Sequence, residues 1–343
     1  MMLKHRLCLL PVLFILGCSD DGTGDTPATD GPLKPSPDTK ACRGVDTPRA
    51  TPLAVGVMPD DGEKPFVDVI ESATKTIRVY IYLMGYGGIF DALKQKASAG
   101  VEVRVIFDKG QTANQKYYAE LKSAGADVMW SDADKYTHMH AKVIIADDSR
   151  AIICSGNFSY SYSIKINRDY VATTTDPDDL ADLTSLYDAD WNRGAPMLPC
   201  TRLLVSPINA RTRIKQLVES ATSTLDVQSM QFADTEVREA VAARKKAGVT
   251  VRVLMADPAW VDTNTSAANF LGTQSIPARY LKDPGIHAKA IVVDGKKAYL
   301  GSINMSFTSL NKNREVGVVV LDSTQVQRIS TTFEKDWSNA TAF

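Results

Sequence analysis

The sequence predicts an α/β protein built from two tandem repeats, and three observations lead to this prediction. Residues 71–74, Glu-Ser-Ala-Thr, recur at 219–222, an offset of 148. Residues 99–105 recur with small changes at 247–253, at the same offset, and a period of this length indicates a duplicated domain. In each half, β-branched runs alternate with amphipathic runs, which is typical of βαβ units with a largely parallel sheet.

The spacing of apolar residues predicts the elements of the first half in order. Val67, Ile70 and Ala73 fall on one helical face, and Gly100 stands where the next helix would end in the left-handed conformation. The second half repeats the pattern from Ile214 onward. The predicted elements are helices over 67–73 and 89–99 and strands over 77–84, 101–107 and 142–146.

One short pattern occurs in both repeats. The first copy holds His140 and Lys142, and the second holds His287 and Lys289. Because side chains alternate along a strand, each histidine should point to the same side as its lysine. In both copies an aspartate follows the lysine by five residues and an asparagine follows the histidine by seventeen: Asp147 and Asn157, then Asp294 and Asn304.

These residue types suit the cleavage of a phosphodiester without a metal. Lysines and asparagines can bind the non-bridging oxygens as charge develops on them. One histidine can attack phosphorus and form a phosphohistidine, while the other protonates the leaving oxygen and then activates the acceptor. No dense cluster of carboxylates or of cysteine and histidine pairs lies near either copy, so we expect neither a metal nor an organic cofactor.

Both copies resemble the HxKxxxxD motif of the phospholipase D superfamily, over a stretch from about residue 60 to about residue 340. The resemblance implies two phospholipase D-like α-β-α sandwich repeats, packed pseudo-symmetrically with the active site at their interface. The residues that it implies as catalytic are His140, Lys142, Asn157, His287, Lys289 and Asn304. Those that it implies as supporting are Asp147, Ser155, Asp169, Asp294, Ser302 and Glu315.

The same resemblance suggests how the two halves of the site divide the work. It favours His140 as nucleophile and His287 as acid and base, with the reverse assignment left open. Glu315 matches an acidic residue that orients a catalytic imidazole, whereas its counterpart Asp169 is one methylene shorter, so the halves are expected to be unequal. His138 has no histidine counterpart and is expected to be a half-exposed residue at the rim, with substrate contact as the alternative.

The N-terminus predicts export. Residues 1–17 combine a positive start with a short apolar run, as a signal peptide does. The run ends Leu-Gly-Cys at Cys18, which resembles the lipobox of bacterial lipoproteins, so Cys18 is expected to be lipidated; an ordinary secretory signal is the alternative. Residues 18–52 read as a disordered tether, 53–200 as the first repeat and 201–343 as the second. The expected location is extracytoplasmic, as a membrane-anchored bacterial lipoprotein or a secreted protein.

Three cysteines remain after Cys8 and Cys18. In an oxidising compartment Cys42 and Cys200 are a candidate disulfide, and Cys154 is expected to be a buried small side chain. Three thiols allow three pairings, so the spacing leaves the others open.

The motif does not select one phosphodiester. We expect a phospholipase D-type enzyme that hydrolyses phospholipids to phosphatidate and a free headgroup. The apolar residues near 85–90 and 258–277 are candidates for contact with a lipid surface, with ordinary loop packing as the equal alternative for the aromatic side chains. The alternative is an extracytoplasmic nuclease that cuts DNA or RNA, although a net charge of −1 gives no overall basic bias. A third reading is a non-catalytic phosphate-binding lipoprotein. A monomer is expected, while the headgroup and the choice between hydrolysis and headgroup exchange stay open.

Overall fold

Strands and helices alternate along the first half of the folded chain. The computed structural model describes residues 42–343. The strands of this half are β1 (Ala54–Met58), β2 (Thr76–Ile81), β3 (Glu102–Phe107), β4 (Asp127–Trp130), β5 (Val143–Ala146), β6 (Arg150–Cys154) and β7 (Asn167–Thr174). Its helices are α1 (Lys64–Ser72), α2 (Gly88–Ser98), α3 (Gln115–Ser123) and α4 (Pro177–Trp191). Gly100 follows α2 at φ +87°, which confirms the predicted helix end.

The second half repeats this order with small additions. Its strands are β8 (Leu204–Ser206), β9 (Thr224–Ser229), β10 (Thr250–Ala256), β11 (Ala278–Leu281), β12 (Gly285–Ile286), β13 (Lys289–Val293), β14 (Lys297–Gly301), β15 (Glu315–Val320) and β16 (Thr341–Ala342). Its helices are α5 (Ala210–Glu219), α6 (Thr235–Lys246), α7 (Thr263–Thr273), α8 (Phe307–Asn311) and α9 (Ser323–Asn339). α4 and α9 each begin at an aspartate, Asp176 and Asp322, whose side chain accepts from backbone N–H groups of the first turn.

Each half forms one sheet, and the two strand orders match. The first runs β1-β7-β6-β5-β2-β3-β4, and the second runs β8-β15-β14-β13-β9-β10-β11-β16. The α/β duplication is therefore confirmed, but the prediction of a largely parallel sheet was wrong. Along the main path of each sheet, parallel pairing is confined to β2, β3 and β4 in the first half and to β9, β10 and β11 in the second. Tight hairpins join β5 to β6 and β13 to β14, so these strands run antiparallel. Their apolar runs resemble those of parallel strands because both faces of each strand are buried.

The two sheets face each other across a shared apolar core. Along β5, Val143 and Ile145 point into this central core, while Ile144 and Ala146 point to the helices on the outer side. The central core also takes side chains from β13, β14 and β15, together with residues of α4 and α9. Helices α1 to α3 cover the outer face of the first sheet and α5 to α7 that of the second. The interface between the repeats is thus the largest continuous packing surface on which a shared site can be built.

Each repeat lends a short segment to the other, and this exchange brings the motif histidines together. β12, directly before His287, pairs in parallel with β7 of the first repeat. In the mirror arrangement, Met139 bridges Arg314, which lies directly before β15 of the second repeat. The sequence predicts that His140 and His287 lie within strands. In the structure they lie just before β5 and β13 instead. Their backbone N–H groups donate across the interface, to the carbonyls of Arg314 (2.9 Å) and Arg168 (3.2 Å).

The segment 42–52, predicted to be part of a disordered tether, is attached to the folded unit. A disulfide joins Cys42 to Cys200 with 4.8 Å between their Cα atoms, which confirms that candidate pair. The Arg49 side chain is almost fully buried and donates to Asp179 of α4 at 2.5 Å, so ion pairing and the cross-link outweigh the low apolar content of this segment. Cys154 is free and buried, as predicted.

The predicted signal peptide, Cys18 and the tether up to residue 41 lie outside the described residues. Within 42–343, no helix combines the length and the apolar character needed to cross a bilayer. The repeat boundaries at 53, 200 and 201 remain predictions.

Candidate active site

His140 lies at the interface, held by a carboxylate of the opposite repeat. Its Nδ1 is 2.8 Å from Oε2 of Glu315, and Asn313 donates to the other oxygen of Glu315 at 3.1 Å. The imidazole is about nine-tenths buried, and burial lowers its pKa to about 4 despite the nearby carboxylate. His140 is therefore neutral at neutral pH, with Nδ1–H donating to Glu315 and Nε2 free to act as a base or nucleophile.

His287 occupies the mirror position. Its Nδ1 lies 2.9 Å and 3.1 Å from the two carboxylate oxygens of Asp169, in the first repeat. Asp169 in turn accepts from the hydroxyl of Ser155 at 2.6 Å. The shorter side chain reaches because residue 156 is glycine: a Cβ there would come within 2.6 Å of the Asp169 carboxylate. The second repeat has Ile303 at that place, opposite the longer Glu315.

The pKa values of both carboxylates and of His287 are also shifted, by burial and by neighbouring groups. Burial alone would raise the pKa of Asp169 and of Glu315, but their contacts with His287 and His140, together with the neighbouring lysines, outweigh it and lower both. Burial lowers the pKa of His287, and Lys289 adds to that effect. Two charged carboxylates thus face two imidazoles that are poor at holding a proton until further negative charge enters the site.

Both motif lysines are fully buried beside their histidines. Lys142 Nζ donates to the backbone carbonyl of His140 at 2.6 Å and lies 5.0 Å from the centre of the Tyr82 ring. Lys289 Nζ donates to the carbonyls of His287 and Ser155, the latter at 3.3 Å. Burial lowers the pKa of Lys142 to about 7 and that of Lys289 to about 8. A bound anion stabilises the charged form of such buried ammonium groups, and a phosphodiester would be an anion of this kind.

The motif asparagines and serines complete the same cluster. The amide oxygens of Asn157 and Asn304 are buried without a hydrogen-bond partner within residues 42–343. Because an amide oxygen accepts, binding of a phosphate oxygen would instead use the Nδ2–H groups of these side chains. The hydroxyls of Ser155 and Ser302 each accept from a backbone N–H of the neighbouring last strand, that of Tyr170 at 2.9 Å and that of Val316 at 3.1 Å. These serines hold the carboxylate-bearing strands in place.

The motif aspartates lie elsewhere and serve the fold. Asp147 sits in the hairpin after β5 at φ +50° and accepts from the backbone N–H groups of Thr74, Lys75 and Thr76 at 2.7 to 2.8 Å. Asp294 binds the start of β9 in the same way, through residues 222–224. This contact explains why the Glu-Ser-Ala-Thr segment recurs: its threonine hydroxyl also donates to the aspartate in both repeats.

Replacing Asp147 with asparagine is expected to lower the free energy of unfolding by about 1–2 kcal/mol, after allowance for solvent screening. Slight burial would raise its pKa, but the N–H groups of residues 74–76 lower it to about 2 from 3.8. A depressed pKa stabilises the fold above the unfolded value, so the deficit of the variant should be complete above pH 4 and should vanish as the pH falls towards 2. Urea unfolding at several pH values measures this, with Asp127→Asn, at an exposed position of β4, as control; equal deficits in both variants would contradict the assignment.

Two arginine clamps that the sequence reading missed hold the exchanged segments. Arg168 donates to Asp336 of α9 at 2.7 and 2.9 Å, and Arg314 donates to Asp190 of α4 at 2.7 and 3.0 Å. Each arginine directly precedes a histidine-binding carboxylate, Asp169 or Glu315. Asp190 and Asp336 are 146 residues apart, the same offset that relates the Asn-Arg-acid segments at 167–169 and 313–315. This shared offset is the signal in the sequence by which the pair could have been found.

Aromatic side chains line the two halves differently. The Tyr82 ring packs against His140 at 4.6 Å between centroids, whereas the half-exposed Trp260 stacks beside His287 at 6.1 Å.

The expectation that the loops near 85–90 and 258–277 present apolar groups to a membrane holds only in part. Phe90 and Leu271 are buried in the repeat cores, while Tyr86 and Trp260 are exposed.

A family model described as "Cardiolipin synthase, PLD-like domain" matches the chain twice, at residues 66–191 and 214–337. Each match spans most of one sheet and its helices, without β1 in the first half and without β8 and β16 in the second. Each also contains one histidine, one lysine and one asparagine of the cluster at the interface.

Individual relatives are distant in sequence. The chain is 21% identical over 325 residues to a probable cardiolipin synthase of Bacillus subtilis, covering 80% of this chain and 64% of that protein. The chain thus spans about two thirds of the length of such curated relatives. Its fold is similar to that of a phosphatidylserine synthase from Haemophilus influenzae (TM-score 0.65, 12% identity, 86% of this chain and 89% of the other). A polyphosphate kinase from Porphyromonas gingivalis gives a TM-score of 0.67 at 18% identity, covering 85% of this chain and 48% of the other.

Proposed function

The chain belongs to the phospholipase D superfamily, as a pair of PLD-like domains of the cardiolipin synthase type, and from this premise we propose that it cleaves the phosphodiester of phospholipids through a phosphohistidine. The observation that carries the proposal is the reciprocal arrangement of the two imidazoles. Each has Nδ1 fixed by a carboxylate of the opposite repeat, at 2.8 Å for His140 and 2.9 Å for His287. The Nε2 atom of each ring is then available for chemistry at phosphorus, with Nζ of Lys289 lying 3.4 Å from that of His287.

In the first step, Nε2 of His140 attacks phosphorus as the bond to the headgroup oxygen breaks. Nε2 of His287 gives its proton to that oxygen, so a neutral alcohol leaves. His287 needs the added negative charge of the diester to hold this proton, because burial lowers its pKa in the free protein. Lys142, Lys289 and the two motif asparagines bind the non-bridging oxygens as charge builds on them.

In the second step, neutral His287 takes a proton from the acceptor, whose oxygen attacks phosphorus as the bond to His140 breaks. With water as the acceptor, the products are phosphatidate and the regenerated enzyme. With an alcohol such as the glycerol end of a second phospholipid, the product is a new diester, which is the reaction class that the names of the cardiolipin synthase relatives indicate. Nothing in this chemistry is drawn from a metal, since imidazole, ammonium and amide groups supply each role.

The experiment uses the chain from residue 19 onward, in EDTA, with vesicles of phosphatidylcholine and phosphatidylglycerol and with single-stranded oligonucleotides in parallel. Phosphatidate is the expected product, and formation of cardiolipin from phosphatidylglycerol would identify an alcohol as the preferred acceptor. His140→Ala serves as the blank for each substrate. Cleavage of the oligonucleotide alone would replace the phospholipid proposal with a nuclease.

The rate should depend on pH in a way set by burial. We expect kcat/KM to be highest between about pH 5 and about pH 7. It should fall at lower pH as His140, with a pKa of about 4, becomes protonated and stops being a nucleophile. It should also fall at higher pH, as His287, whose pKa is lowered by burial, loses the proton that it must donate and as Lys142 (about 7) and Lys289 (about 8) lose their charge. A profile measured in uncharged detergent micelles, flat up to about pH 10, would contradict an oxyanion-binding role for the lysines.

Anchoring at the membrane is a further part of the proposal. We infer lipidation at Cys18 from the residues that precede it. Incorporation of labelled palmitate into the full chain, absent from Cys18→Ser, is the expected result, and equal labelling of both would overturn it.

A further inference from the structure

His138 is a third histidine in contact with the walls of the site, and the second repeat has none at this place. Its ring lies 5.5 Å from that of Tyr82, which also packs against His140. Its side chain is 35% exposed, unlike the two motif imidazoles. His138 therefore shares the Tyr82 contact with solvent-shielded His140, with part of its own ring open to solvent.

The open part of the ring carries Nε2, because Nδ1 is turned inward. Nδ1 is buried without a hydrogen bond and lies 3.5 Å from Oδ1 of Asp108. Asp108 is itself buried and held rigidly, since its carboxylate accepts from the N–H groups of Met139 (2.6 Å) and Gly110 (2.9 Å). His138 thus repeats, more loosely, the Nδ1–carboxylate arrangement of His140 and His287.

The second repeat fills the equivalent place differently. Gly285 corresponds to His138, and a Cβ added there would lie 3.1 Å from Oδ1 of Asn167 and 3.4 Å from the Trp260 indole. One side of the pseudo-symmetric site therefore presents an imidazole backed by a carboxylate, together with Gln111 bonded to the Tyr82 hydroxyl at 2.8 Å. The other side presents an indole. Binding the phosphate itself would need neither the imidazole of His138 nor the indole of Trp260. We therefore relate this difference between the two sides to the groups that are attached to phosphorus.

We propose that His138, positioned by Asp108, is a specificity-determining residue that binds a negatively charged oxygen of the substrate headgroup, such as the carboxylate of a serine headgroup. This inference rests on the proposed function for its choice of substrate. A charge-assisted hydrogen bond from the imidazolium to a carboxylate discriminates between headgroups that differ by that group alone. Motif residues cannot do so, because they contact the phosphate that all headgroups share.

Nearby charges fix the sign of the pH dependence. The Asp108 carboxylate raises the pKa of His138, partial burial opposes this, Glu315 adds to the increase and Lys142 reduces it. Tyr82 packs on the ring as a neutral group. The imidazolium therefore persists to a higher pH than that of a free histidine, and a preference for carboxylate should be largest below that pKa and should disappear as the pH rises through it.

The test measures binding of two soluble headgroup phosphates that differ only by a carboxylate, O-phosphoserine and O-phosphoethanolamine. Titration calorimetry of the protein at about pH 6 should give about tenfold tighter binding of phosphoserine, equivalent to about 1.4 kcal/mol. His138→Gln should reduce this ratio to about one by weakening phosphoserine alone, and Asp108→Asn should reduce it in part. Lys282→Gln, which removes an exposed cation from the second repeat, should leave the ratio unchanged.

Three results would overturn the inference: no preference in the unaltered protein, a preference that His138→Gln retains, or equal weakening of both ligands by that variant, which would indicate a merely structural role. Binding does not depend on turnover, so the absence of phosphatidate in the vesicle assay would defeat the proposed function while this ratio still reports on His138. Thermal unfolding of each variant is measured in parallel, so that a loss of binding caused by misfolding, above all at the buried Asp108, is recognised.

Discussion

Replacing either His140 or His287 with alanine is expected to lower turnover of phospholipid by a factor of about 10³ or more, because each imidazole makes or breaks a bond at phosphorus. The two residues lie in different repeats, and each is held by a carboxylate of the other. Lys289→Ala should have an effect of similar size, since it removes a buried cation beside His287 while the rest of the site stays intact. Phosphatidate release from vesicles measures all three. Full activity in any one of them would contradict a single site shared between the repeats.

A substrate with a good leaving group separates the roles of the two histidines. Bis(4-nitrophenyl) phosphate releases an alcohol that needs no proton, so a protein lacking only the general acid can still form the phosphohistidine. If His140 is the nucleophile, His287→Ala should give a burst of one equivalent of nitrophenol and trap the remaining 4-nitrophenyl phosphoryl group on His140. His140→Ala should then give neither. The opposite pattern would assign attack to His287 and leave the rest of the mechanism unchanged.

Glu315→Gln and Asp169→Asn are expected to lower kcat by roughly 10²–10⁴, with KM changed little, although neither carboxylate touches the substrate. An amide keeps the shape but cannot stabilise a positively charged imidazole, and it can fix the wrong tautomer. From the reciprocal contacts we expect that Glu315 acts through His140 of the first repeat and that Asp169 acts through His287 of the second. The measurement is the same nitrophenyl ester assay, with burst and steady state recorded separately.

Because each carboxylate serves one imidazole, the two variants should differ in which phase they affect. With His140 as nucleophile, Glu315→Gln should slow the burst, and Asp169→Asn should slow the steady state that follows. Gly156→Ala is a second route to the latter effect, because its Cβ would displace the Asp169 carboxylate. Gly272→Ala, where an added Cβ would meet nothing within 4 Å, is the matched control. Identical losses in both phases for both variants would indicate a general structural role instead.

Several elements followed from local patterns in the sequence. The helices α1 and α2 and the strands β2 and β3 lie within a few residues of their expected places, since their apolar periodicity and the glycine at 100 specify them locally. The mixed direction of the sheets did not follow. Strands buried on both faces have the same apolar character whether they pair in parallel or antiparallel, so the run from 143 to 146 could not reveal the hairpin after it.

The sequence by itself determined the duplicated α/β fold, the two sets of histidine, lysine and asparagine, and hence the superfamily. Only the tertiary structure decided which carboxylate serves which imidazole, since the partners are 175 and 118 residues apart and meet through packing of one repeat on the other. It also decided the charge state of the site, because burial at that interface, and not residue type, lowers the pKa values of His140 and both lysines. Periodicity is a local property of the chain, whereas desolvation and pairing exist only once the two halves have come together.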